Sequence, residues 1–142
     1  MLIISQNATD YELDFPKDAV LRINLAWCNS LNELESNLKK HSNYKIFIDL
    51  PIGRIKPPNN RYTLDEIIPI LKNYKNIKYF AVSNVENDTD LEEFLETVPQ
   101  NITIVPKIES PEGVKNIDNI VAKLDYNEKF VMLDHDDLFS NI

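Results

Sequence analysis

"VPKIESPEGVKNIDNI", Val105–Ile120, passes from an apolar strand into an apolar-striped helix with almost no loop between them. Ser110 has the side chain of a helix N-cap, and Pro111 suits a first helical turn. The strand ends in Lys-Ile-Glu. Side chains on a strand alternate faces, so Lys107 and Glu109 point the same way. A strand that feeds directly into a helix is half of a βαβ unit. In such units ligands gather at the carboxyl ends of the strands.

The same alternation extends outward in both directions. Ala19–Leu25, Lys45–Leu50, Ile77–Asn84, Ile102–Ile108 and Lys129–Leu133 read as strands. Between them lie helical stripes. Ser30 and Glu33 fit a capping box ahead of Leu31, Leu34 and Leu38, and Thr63 and Glu66 fit another ahead of Leu64, Ile67, Ile68, Leu71 and Tyr74. Pro69 removes a donor from that second helix and is expected to kink it. Leu91, Phe94, Leu95 and Val98 form the third stripe, and Val114, Ile117, Val121 and Leu124 the fourth. "PIGRIKPPNNRY" is a loop, and "DHDDLFSNI" reads as a charged closing loop. "MLIIS" and "YELDF" at the front form either a hairpin or a first strand with a shortened connection. The fold class this predicts is α/β: an incomplete TIM-barrel-like parallel sheet of five to six strands with flanking helices, one domain over residues 1–142.

Composition narrows the function. A formal net charge of −8 repels phosphate backbones and argues against nucleic acid. No apolar run reaches the roughly 20 residues of a membrane span, and the N-terminus lacks the basic region of a signal peptide. Cys28 is the single cysteine, which fits a reducing cytoplasm. The two glycines sit in no phosphate-cradling pattern, so Rossmann and P-loop readings have no support. The Asn-x-Thr triplets at Asn7, Asn87 and Asn101 are read as chance in an Asn-rich chain. Trp27 and Cys28 read as packing residues, His41 as a solvated helix end, and His135 as part of a charged loop.

Each strand carries polar residues near its end: Arg22 and Asn24, Asp49, Ser83 and Asn84, Lys107 and Glu109, Asp134. In a parallel sheet these ends share one edge, which is how an α/β site looks in sequence. A hard divalent ion takes carboxylate oxygens from more than one element, and Glu109 with Asp137 would supply them.

At this point the residues resemble the barrel domain of pyruvate kinase. "KIESPEGVKNIDNI" is similar to that family's Lys-Ile-Glu-Asn-x-Glu-Gly-x-x-Asn segment. "LRINLAW", "IFIDLPIGRIK", "FAVSNVENDTDLEEF" and "VMLDHDDLF" resemble its neighbouring blocks in the same order, over roughly Ala19 to Leu138. The resemblance implies that Lys107 lies beside a transferring group and that Arg22 faces a phosphate. It implies that Glu109 and Asp137 hold Mg2+ or Mn2+, and that Asn24 and Asp49 bind a monovalent cation. Lys56 stands where the family has arginine, which keeps the charge but not the bidentate fork. Ala26 and Leu50 replace two further cation ligands, and His135-Asp136 replaces Arg-Gly before the metal aspartate. Only "PPNN" stands where the family inserts a nucleotide-covering lid. The resemblance ends after the sixth of eight barrel strands.

These departures argue against pyruvate kinase activity itself and against ATP or ADP binding. Three readings stay open, one of them that the chain is part of a larger enzyme whose missing strands lie in another polypeptide. A second is a metal-dependent lyase or transferase acting on a small anionic oxo acid of the pyruvate or phosphoenolpyruvate type. The third is a non-catalytic truncated barrel serving as an assembly or binding partner. An open barrel side is expected to be covered by a second copy or another subunit, with a homodimer favoured.

Overall fold

The computed structural model describes residues 2–4, 14–53 and 57–140. Six strands run in one sheet in chain order: β1 (Leu2–Ile4), β2 (Ala19–Asn24), β3 (Lys45–Leu50), β4 (Ile77–Val82), β5 (Thr103–Ile108) and the short β6 (Met132–Leu133). Every pairing is parallel. The helices are α1 (Leu31–Lys40), α2 (Leu64–Asn73), α3 (Glu92–Thr97), α4 (Pro111–Lys115), α5 (Ile117–Lys123) and α6 (His135–Ser140). A strand order that follows the chain without reversal winds like a barrel and not like a doubly wound sheet. The sheet is a curled half-barrel flanked by helices.

Local chemistry sets the helix starts. The Ser30 hydroxyl accepts the Glu33 amide at 3.1 Å. Thr63 and Glu66 form the full capping box of α2, which runs on through Pro69. Strands β2 to β5 then bury two faces. Leu21, Ile23, Ile46, Ile48, Leu50, Phe80, Val82, Ile104 and Ile108 face the helices, where they meet Leu34, Leu38, Ile67, Leu71 and Ile120. The alternate residues Val20, Phe47, Ala81 and Val105 form a second core on the concave side with Tyr79, Phe130 and Met132.

That second core lies within the single chain. Val20 and Phe47 are 1% exposed and Ala81 is fully buried within the single chain. The Phe47 and Tyr79 rings stack and Phe130 meets Tyr79 edge-on. Aromatic side chains thus pack on the concave face within the single chain.

Differences from expectation are local. β1 runs parallel to β2, with Leu2 beside Ala19, so β1 is a first strand of the sheet; residues 5–13, which include most of the second arm of the expected hairpin, lie outside the described residues. β6 is shorter than the expected Lys129–Leu133. Trp27 is 59% exposed and not a packing residue, whereas Cys28 is buried. His41 is buried, not solvated, because its ring sits among Phe15 and Tyr44. The fourth helical stripe breaks at Asn116, whose side chain donates to the Glu86 carbonyl at 2.8 Å and to Glu112 at 3.2 Å. Val114 is left exposed, and Ile120 with Leu124 anchors α5 instead. His135 belongs to a helix and not to a loop, because Asp134 caps it: the Leu138 amide donates to the Asp134 carbonyl at 2.9 Å.

Candidate functional site

Charged side chains of the concave face converge where β2, β3 and β5 end. Asp49 is fully buried and stands between two cations. Its Oδ2 accepts from Arg22 Nε at 3.1 Å and from the other guanidinium nitrogen Nη2. The same oxygen lies 3.4 Å from Lys107 Nζ. The Lys107 ammonium also pairs with Glu109 Oε1 at 3.0 Å and lies 3.9 Å from Asp134 Oδ2. Lys107 and Glu109 are each only 5% exposed. The alternation of a strand therefore places both on one face, as their spacing predicts.

Burial disfavours the charged form of Lys107 most strongly, but the carboxylates of Asp49 and Glu109 outweigh it and hold its pKa above the ordinary 10.5. The ammonium is thus a fixed positive charge at neutral pH.

Glu109, Asp134 and Asp137 each present a carboxylate oxygen within 4.8 Å of the others. They come from the ends of β5 and β6 and from the first turn of α6. Glu109 Oε2 also accepts the Asn84 backbone amide at 2.6 Å. Three oxygen donors from separate segments suit a hard divalent cation, and this donor set fits Mg2+ or Mn2+.

The structure brings together Arg22, Asp49, Lys107, Glu109 and Asp137. Asn24 pairs with Asp49 in the β2–β3 register, but its side-chain Oδ1 accepts the Ala26 amide at 3.0 Å. Lys56 lies outside the described residues. Asp134 was visible in the sequence as a strand-end acid, and its adjacency to the last strand was the signal; its place as a third carboxylate of the metal group was not. The Asn84 amide had no clear signal beyond asparagine's tolerance of left-handed backbone. Asp49 Oδ1 and Ser83 Oγ are buried and have no hydrogen-bond partner among the described residues, which marks unfilled polar capacity on this face.

No protein-family model matches the chain, and no curated protein matches it. Among solved structures, RipC from Yersinia pestis is similar, with a TM-score of 0.54 and 16% identity. The match covers 86% of this chain and 54% of RipC, so the chain spans about half the length of that protein. An identity of 16% carries the fold alone.

Proposed function

We propose that the chain binds a divalent cation at Glu109, Asp134 and Asp137 and acts there on a small anionic oxo acid of the pyruvate or phosphoenolpyruvate type, as a lyase or transferase. The observation that carries this reading is the meeting of three carboxylates beside a buried lysine at the strand ends. The charges support it. Arg22 and Lys107 bring two formal positive charges, and Asp49, Glu109, Asp134 and Asp137 bring four negative ones, which leaves a formal −2. Such a site attracts a divalent cation before it attracts an anion. A bound Mg2+ or Mn2+ supplies positive charge that neutralises a carboxylate and the negative charge growing on the acid's oxygen. Lys107, already oriented by Asp49 and Glu109, adds positive charge or moves a proton. Arg22 holds Asp49 in place and so orients Lys107 through it. The sequence resemblance to the pyruvate kinase barrel points to the same acid class.

One observation favours the non-catalytic alternative: the Arg22 guanidinium is already engaged by Asp49 and is not offered to a ligand. Calorimetric titration with Mg2+ or Mn2+, alone and then with oxalate, pyruvate or phosphoenolpyruvate, separates the two. The expected result is cation binding, with acid binding only when the cation is present. Cation binding with no acid binding would favour the alternative. No cation binding would overturn the metal reading.

A further inference from the structure

We infer that Asn84 is a positioning residue for the metal centre: its left-handed backbone aims its amide N–H at Glu109 and fixes the carboxylate that would face the ion. The inference rests on the metal reading above. Asn84 lies two residues past β4 and has φ 52°, a conformation that L side chains other than asparagine and aspartate seldom adopt. Its side chain is exposed, so core packing does not impose this backbone. What the conformation achieves is a clasp on β5. The Asn84 amide donates to Glu109 Oε2 at 2.6 Å, and the next amide, that of Val85, donates to the Lys107 carbonyl at 3.1 Å. Two successive N–H groups thus hold the segment that carries both charged side chains.

Glu109 is then fixed from two sides, by the Asn84 amide on Oε2 and by Lys107 on Oε1. A ligand carboxylate held in this way is oriented before the ion arrives, which is what outer hydrogen bonds do for metal ligands. The Asn84 side chain has a separate contact, Nδ2 to the Ile52 carbonyl at 3.5 Å, that ties the chain following β3 to the same corner. Gly113 backs the clasp: a Cβ there would stand 2.6 Å from the Val85 carbonyl oxygen.

Two substitutions separate backbone from side chain. Asn84→Gly keeps the left-handed conformation at no steric cost, whereas Asn84→Val opposes it; Asn84→Ala replaces the valine variant if that one does not fold. Manganese binding is read by electron paramagnetic resonance, and folding by a thermal melt without metal. We expect Asn84→Val to weaken Mn2+ binding about tenfold or more while still melting cooperatively. We expect Asn84→Gly to stay within about twofold of wild type. A double-mutant cycle of Asn84→Val with Glu109→Ala on metal-free stability should be non-additive, because both changes disrupt the same amide–carboxylate hydrogen bond. An additive cycle overturns the inference. So does Mn2+ binding by wild type that Asn84→Val leaves unchanged, and in that case the metal reading survives. A coupled cycle in a wild-type protein that binds no Mn2+ overturns the metal reading and the positioning role with it.

Discussion

Lys107 shows how much one residue can reveal and conceal. Its face-sharing with Glu109 follows from a spacing of two on a strand and was legible in the sequence. Its partnership with Asp49 was not, because that contact crosses from β5 to β3 and depends on how far the sheet curls. Replacing it tests the network. Lys107→Met would leave Asp49 and Glu109 buried without their ammonium, and breaking a buried ion pair from one side costs about 3–5 kcal/mol. The expected outcome is a lower urea midpoint with an unchanged slope. The pH dependence has a definite sign. The folded-state pKa of Lys107 is raised above 10.5 by Asp49 and Glu109 against the opposing effect of burial. Its stabilisation is therefore fully present below that unfolded-state value and is lost as pH rises through the folded one. Stability measured by denaturant should fall above about pH 10.5 in wild type and fall less in Lys107→Met. His41 illustrates the opposite limit: no local pattern told that Phe15 and Tyr44 would enclose it.

At the scale of elements, the strands and the capped helices were legible because their signals are local. Alternation marks β2 to β5, and side-chain caps mark the starts of α1 and α2. Thr63→Ala removes the hydroxyl that accepts the Glu66 amide, and about 1 kcal/mol of stability should go with it in a thermal melt. The helices that were misread lie where side chains compete with the backbone. Asn116 divides α4 from α5 by bonding Glu86 and Glu112, and Asp134 starts α6 where charge alone had suggested a loop. Gly113 belongs to this scale as well. An added Cβ would meet backbone at 2.6 Å and the Ile108 side chain at 3.1 Å, so neither the helix start nor the β4–β5 corner can yield easily. Gly113→Ala should destabilise by about 1–3 kcal/mol, seen as a lower denaturant midpoint.

For the whole molecule, strand–helix alternation made a barrel-like winding legible, and the parallel sheet in chain order agrees with it. The packing of the concave side was not legible, since it arises from sheet curl and from the meeting of Phe47, Tyr79 and Phe130 across three segments. The consequence is a protein with two cores. Phe47→Ala on the concave side and Phe80→Ala on the helix side should each cost about 3–5 kcal/mol, which paired denaturation curves would read; a Phe47 variant as stable as wild type would mean that the concave side is not a true core. Among the described residues no helix is long and apolar enough to cross a membrane. The central claim is that the rim where the parallel strands end holds a divalent ion. A crystal grown with Mn2+ and measured at the manganese absorption edge tests it most directly. The account predicts one anomalous peak within bonding distance of Glu109, Asp134 and Asp137, lost in Glu109→Gln. A fully occupied peak elsewhere, or none at these carboxylates, would contradict it.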